Sequence, residues 1–393
     1  MTAGTLIIGG GQAGAQIAAS LREFGYDAPV TLVGAEAQPP YQRPPLSKAF
    51  LAGTADLGSL QLRSASFYAE RAIDVLCSER IVRIRLDADG RGAALTDLDR
   101  TLEFDRLALA VGARPRHLAV PGGRLGGVCY LRDAIDAMRI RAQLAGARHL
   151  VVVGGGFIGL EIAAVARSVG KDVTVVEAAD RLIARSVDPL ISDFYLQAHR
   201  RRAVAVRLGE SVTGFAGRRR VRGVRLAGGD VLPADLVVVG VGVVPRTELA
   251  EQLGLRCAGG IVVDRYARTS NPAVVAAGDC TVAPNPLTGD GLVRLESMPN
   301  AVGQARVAAA TLAGLERPYA EVPWFWSDQY DLKLQIAGVP NGYDRTELDG
   351  DPLTESFALR YYSGAGLVAV TAVNRPRDYL AVRKALSGTL AVA

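Results

Sequence analysis

With 393 residues the chain exceeds one ordinary hydrophobic core, so two or three domains are expected. Apolar residues at 49% and charged residues at 22% exclude a disordered or fibrous protein. A net charge of +5 suits an acidic protein partner. The arginine runs at 200–202 and 218–220 have no nucleic-acid-binding motif beside them, so they are read as solvated faces and no nucleic-acid partner is expected.

Thr5-Leu-Ile-Ile8 is a short buried strand that runs into Gly9, Gly11 and Gly14 in G-x-G-x-x-G order. Gly9 permits the tight turn, Gly11 lets backbone approach a pyrophosphate, and Gly14 lets helix and strand pack closely. The helix opening there carries Ile17, Ala18, Leu21 and Phe24 at helical spacing. Its first N–H groups and positive dipole end face the phosphates. Val30-Thr-Leu-Val33 is the next strand. The usual acid position at its end is Gly34, and Glu36, two residues on, is the candidate for the first nucleotide's ribose.

Residues 39–48, Pro-Pro-Tyr-Gln-Arg-Pro-Pro-Leu-Ser-Lys, form a proline-rich connector. Ile73-Asp-Val-Leu76, Ile81-Val-Arg-Ile84 and Arg106-Leu-Ala-Leu109 read as strands, with a turn at 89–92. Leu150-Val-Val-Val153 then leads into a second loop, Gly154, Gly156 and Gly159, with Ile158, Ile162, Val165 and Val169 on one helix face. Lys171 to Glu177 is the following strand, ending in an acid about 20 residues past the loop, where a ribose 2′-hydroxyl is read. Two such loops imply two dinucleotides. A carboxylate at Glu177 repels a 2′-phosphate, although Arg181 and Arg185 lie nearby.

Asp235-Leu-Val-Val-Val-Gly-Val-Gly242-Val-Val-Pro245 echoes Leu107 to Pro115, so the second nucleotide fold interrupts the first. Val274 to Asp279 is a buried strand running into Gly-Asp, which suits a carboxylate aimed at a ligand hydroxyl. Pro299 to Leu315 reads as a helix. From residue 321 a third unit begins. Trp324 and Trp326 are two apart, hence on one face if extended; core filling accounts for one of them, and a paired aromatic wall is also what a flavin ring needs. Phe357 to Tyr362 and Leu367 to Val373 form a hairpin, and Asp378 to Leu386 a helix.

Cys77, Cys129, Cys257 and Cys280 are scattered without a C-x-x-C, so neither a redox disulfide nor an active thiol is expected. His117, His149 and His199 stand apart from other ligand types, so no metal site is expected. The most apolar run, residues 150–166, holds a glycine loop and Glu161 and is not a membrane span. With no charged, apolar, small-residue leader at Met1, a cytoplasmic protein is expected.

Several segments together resemble the NADH-dependent ferredoxin reductases of bacterial oxygenase systems. They are Gly9 to Gly14, Pro40 to Lys48, Tyr130-Leu-Arg132, Gly154 to Glu161, Gly278-Asp279, Glu296-Ser-Met-Pro-Asn300 and Pro323-Trp-Phe-Trp-Ser-Asp-Gln-Tyr330. The resemblance covers nearly the whole chain. It implies a glutathione-reductase-like α/β fold with two Rossmann-like dinucleotide-binding domains and a C-terminal α+β domain. The expected boundaries are 1–114 and 236–320 for a discontinuous FAD domain, 115–235 for the inserted NAD domain, and 321–393 for the third.

The resemblance implies that Ala13, Arg43, Lys48, Ile81, Arg132, Asp279 and Met298 join Gly9, Gly11, Gly14 and Glu36 around FAD. Lys48 and Glu161 are implied as an ion pair beside the flavin N5 edge, with Trp326, and Trp324 second, against the ring. Gly154, Gly156, Ile158, Gly159, Glu177 and Gly242 are the corresponding NADH residues. The implied function is hydride transfer from NADH to FAD, then single-electron transfer to a two-iron two-sulfur ferredoxin. That ferredoxin would feed a cytochrome monooxygenase or Rieske dioxygenase and dock transiently near Arg63, Arg306 and Lys333. The alternatives are a rubredoxin reductase and a redox-sensing flavoprotein of the apoptosis-inducing-factor type.

Overall fold

The structure, a computed structural model, describes residues 3–289 and 291–390. Two parallel sheets carry the two glycine loops. The first has the strand order Val274–Ala276, Arg106–Leu109, Thr5–Ile8, Val30–Val33, Ile73–Leu76. The second has the order Ala205–Leu208, Asp172–Glu177, His149–Val153, Leu236–Val239, Val128–Tyr130. Their central strands, TLII and HLVVV, are almost wholly buried, as strands covered on both faces must be. Register places each loop at the carboxyl end of its sheet: Ile8 pairs with both Val33 and Leu109, and Val153 with both Val176 and Val239. That edge is where open α/β sheets take their ligands.

Leu236–Val239 corrects the expected domain boundary. It hydrogen-bonds along His149–Val153 in the second sheet, so the inserted domain extends beyond residue 235. The crossing back is the two-stranded pair Ala113–Pro115 with Val243–Pro245. The expected set of strands over 73–109 also divides. Ile73–Leu76 and Arg106–Leu109 enter the first parallel sheet, while Ile81–Leu86, Gly92–Thr96 and Thr101–Phe104 make a separate antiparallel sheet.

The helix read as 299–315 spans Met298–Leu312, is capped by the Ser297 hydroxyl on Asn300 N–H, and packs on the first helix, Gln12–Glu23. The third unit is a five-stranded antiparallel sheet in the order Trp324–Gln329, Leu332–Gly338, Gly366–Val373, Ser356–Ser363, Arg345–Asp351, with the helix Pro376–Leu390 against it. One apolar cluster joins Leu150, Leu160 and Phe194 of the inserted unit to Leu334, Phe357 and Tyr361 of this sheet. The second and third units therefore share a core.

Candidate active site

The two glycine loops repeat the same steric logic. Gly9 (φ +125°) and Gly154 (φ +108°) turn left-handed, and a Cβ on either would lie 2.1 Å from Ala110 O or 2.3 Å from Gly240 O. A Cβ on Gly14 would sit 1.9 Å from Gly9 O, and one on Gly159 2.3 Å from Gly154 O, so each third glycine holds its helix against the turn. Gly11 and Gly156, by contrast, face open space and cap their helices without a side chain. Their helices' first N–H groups stay available to a phosphate.

In the first unit the strand-end position, Gly34, meets Gly10: a Cβ on Gly10 would lie 3.2 Å from the Gly34 Cα. The packing leaves little room for an acid there, and Glu36 takes the cavity wall instead. Glu36 accepts from the Arg43 guanidinium and, at 2.5 Å, from the Tyr41 hydroxyl. In the second unit Glu177 folds back onto its own loop, accepting from Gly155 N–H at 2.6 Å and Ala179 N–H at 2.8 Å. Arg181 is tied to Val187 O, Ala184 O and the Ser192 hydroxyl, so it braces the loop. Arg185 is exposed and reaches Gly242, whose built Cβ would lie 3.5 Å from its Nη2.

A cavity of about 600 Å³ runs along the first loop and reaches all three units. Gly9, Gly11, Ala13, Glu36, Arg43, Lys48, Ile81, Arg132, Asp279 and Met298 all line it. Arg132 spans it to Asp279 at 2.9 Å. Gly278, at φ +86°, brings Asp279 up to the first helix, its built Cβ 3.2 Å from that of Ala13. From the inserted unit Phe157, Ile158 and Glu161 face the same space, and from the third Phe325 and Trp326 do. Gly14, Gly154, Gly156, Gly159, Glu177 and Gly242 shape the loops and do not line this cavity.

Trp324 departs from expectation. It does not line the cavity but backs Trp326, ring centroids 5.5 Å apart, between that ring, Tyr379 and the Arg383 guanidinium. Sharing a strand face with Trp326 places it one pleat further toward the terminal helix. Phe325 and Phe157, 4.6 Å apart, supply aromatic surface that the sequence reading did not single out.

Glu161 is the centre of the tripartite contact. Its side chain is 4% exposed and receives the Lys48 ammonium at 2.8 Å, the Ser47 hydroxyl, and the Ser327 hydroxyl at 2.6 Å. Lys48 and Ser47 come from the first unit, Ser327 from the third. The short helical turn Pro44–Ser47, opened by two prolines, aims both donors. Among the described residues no cluster of three metal-type ligands exists. None of the four cysteines lines the cavity, and all are free. Burial pushes the Cys280 thiol up to about 12, far from a reactive thiolate.

Residues 4–305 match the pyridine nucleotide-disulphide oxidoreductase family, and residues 324–393 match the reductase C-terminal domain. The chain belongs to this family of flavin- and pyridine-nucleotide-dependent oxidoreductases. Within it, rhodocoxin reductase of Rhodococcus erythropolis is 48% identical over 97% of this chain and 89% of the relative. A crystal structure of the covalent putidaredoxin reductase–putidaredoxin complex superposes with a TM-score of 0.93 at 39% identity, covering 98% of this chain and 93% of that one. The ferredoxin reductase for the CYP199A2 system from Rhodopseudomonas palustris gives 0.91 at 42% identity, covering 96% and 92%. The expected α/β architecture and the cofactors FAD and NAD(H) are those of this family. The site fits the flavin nucleotide: the loop that faces the cavity is closed to any side chain at Gly9 and Gly14 and open at Gly11. No helix among the described residues is long and apolar enough to cross a membrane.

Proposed function

We propose that this chain takes electrons from NADH onto FAD and passes them singly to a two-iron two-sulfur ferredoxin serving an oxygenase. The observation that carries the reading is the meeting of three units at one cavity whose lining holds no cysteine: a dinucleotide loop on one side, the helix of a second such loop on another, and Lys48–Glu161 between them. FAD, when bound, supplies an acceptor that takes a hydride and releases electrons one at a time.

The rest is done by the chain's own residues. Gly11 and the first helix N-terminus receive the pyrophosphate, Glu36 with Arg43 the adenosine ribose, and Arg132, Asp279, Ile81 and Met298 the remaining length. Trp326, which lines the cavity, would cover the ring. Lys48 holds a fixed positive charge beside it, and Glu161 holds Lys48. Gly156, Gly159 and Glu177 would hold NADH, with Phe157 and Ile158 facing the cavity, and Gly242, beside the Arg185 guanidinium, would complete that side.

No cysteine faces the cavity, so electrons leave to an outside carrier. Arg63 in a loop, Arg306 on the helix Met298–Leu312 and Lys333 on the strand Leu332–Gly338 are exposed and lie outside the cavity. An acidic ferredoxin held by them would bind weakly and lose affinity with salt. The likeness to a reductase solved in complex with its putidaredoxin supports this partner class. The test is NADH-driven reduction of a panel of acceptors. A two-iron two-sulfur ferredoxin is expected to be reduced fastest, with a rate that falls as salt rises. Faster turnover with rubredoxin, or with oxygen alone, would replace the proposal.

A further inference from the structure

Glu161 is the first member of a buried polar chain that continues away from the cavity. Its Oε1 accepts from the Ser327 hydroxyl at 2.6 Å; Ser327 Oγ lies 3.2 Å from Gln329 Nε2, and Gln329 Oε1 2.8 Å from His199 Nε2. The far ring nitrogen, Nδ1, faces the Tyr330 hydroxyl at 3.4 Å. Glu161 is 3% exposed, and Ser327, Gln329 and His199 are at 0%.

The polarity of this chain is fixed from one end. A carboxylate that faces the Lys48 ammonium at 2.8 Å accepts, so the single Ser327 proton points to Glu161. Ser327 Oγ must then accept, which turns the Gln329 NH2 toward it and Gln329 Oε1 toward His199. An accepting Oε1 requires the proton of His199 on Nε2, leaving Nδ1 bare to accept from Tyr330. Each orientation follows from the preceding one, and a flip at any link leaves two acceptors facing each other in a dry interior.

We infer that His199 is a positioning residue for the flavin-edge carboxylate, aiming Glu161 through Gln329 and Ser327. Ser327 and Gln329 project from one face of the strand Trp324–Gln329 onto the inserted unit, and His199 stands on the helix Pro189–Arg201, capped by Asp188. The chain thus returns to the unit that holds Glu161. Burial holds the His199 pKa down to about 4, so the ring is neutral and has one proton to place. Arg202, three residues on at the C-cap of the same helix, is engaged by Glu355 and Asp331.

The inference rests on the proposed flavin site, and its test separates the two. With three histidines in the chain, the ring nitrogens of ¹⁵N-histidine-labelled holoenzyme are assignable. His199 is expected protonated at Nε2 and bare at Nδ1 at neutral pH. His199→Met removes the donor at similar bulk. The limiting rate of flavin bleaching by NADH is expected to fall about tenfold, while FAD content and the NADH dissociation constant hold. His199→Gln offers an N–H at the Nε2 position and is expected to recover the rate to within about twofold. Ser327→Ala with His199→Met should be no slower than Ser327→Ala alone. A proton on Nδ1, a His199→Met variant as fast as the parent, or a His199→Gln variant as slow as His199→Met would each overturn the inference. A parent protein that NADH does not bleach would instead overturn the flavin reading, and the ring-nitrogen measurement would still decide the chain.

Discussion

Lys48→Met is the sharpest perturbation of the site. The Lys48 ammonium lies 2.8 Å from Glu161 Oε2, its side chain 20% exposed against 4% for the carboxylate. At that separation the gross attraction is about 6 kcal/mol for an effective dielectric near 20, and desolvation of both groups offsets much of it. Methionine keeps the stem, removes the charge, and leaves Glu161 with the Ser47 and Ser327 hydroxyls. Breaking a buried pair from one side costs about 3–5 kcal/mol, and the two surviving donors place this case at about 3. Denaturant midpoints of the holoenzyme check that figure against Lys48→Arg, which keeps the charge.

The same variant separates structure from catalysis. With the cation gone from the proposed ring edge, the limiting rate of flavin bleaching by NADH is expected to fall at least about tenfold, or 1.4 kcal/mol of barrier. Bound FAD and the NADH dissociation constant should hold. A protein destabilised as predicted but bleached at the parent's rate would show that the pair only ties domains together, and the electrostatic argument would be refuted.

Paired glycine variants test which loop holds which nucleotide. Gly14→Ala drives a methyl to 1.9 Å from Gly9 O and should yield protein without flavin absorbance, whereas Gly159→Ala, at 2.3 Å from Gly154 O, should stay yellow and bind NADH at least about tenfold more weakly. Glu177→Ala with Ala178→Arg removes the carboxylate that caps Gly155 and Ala179 and adds a phosphate partner; the NADPH-to-NADH ratio of kcat/KM should rise, and an unchanged ratio would misplace the ribose site. Stability should climb with pH across the acid range for two reasons. Hydrogen bonds from Arg202, then Arg201, hold the Glu355 carboxyl down to about 2, a contribution present above about 4.5 and lost as pH falls toward 2. His199, held at about 4 by burial, is neutral in the fold while the unfolded chain protonates near 6.5, so falling pH from 6.5 to 4 removes on the order of 3 kcal/mol. Denaturant midpoints of His199→Gln should therefore be flatter over pH 4–6.5 than those of the parent.

The legible parts of this molecule were those written in local patterns. Both glycine loops lie at the ends of buried strands because a run such as LVVV followed by glycines has few other solutions, and the Lys48–Glu161 pair forms as the resemblance implied. Strand membership was less legible: Leu236–Val239 reads the same whether it closes the first sheet or the second, since an all-apolar strand carries no mark of its neighbours. Arg345–Asp351, an exposed charged edge strand of sequence RTELDGD, shows no apolar alternation at all and escaped the sequence reading. Ser327 and Gln329 were within reach, because the alternation that pairs the tryptophans puts both on the opposite face with Phe325. His199 was not, since its partners lie 130 and 131 residues away in sequence.

An anaerobic titration of the purified protein with NADH tests the central claim most directly. The account predicts a yellow protein holding one FAD per chain, bleached by one equivalent of NADH and recoloured on adding an oxidised two-iron two-sulfur ferredoxin. A colourless protein, or yellow that survives excess NADH, would contradict it.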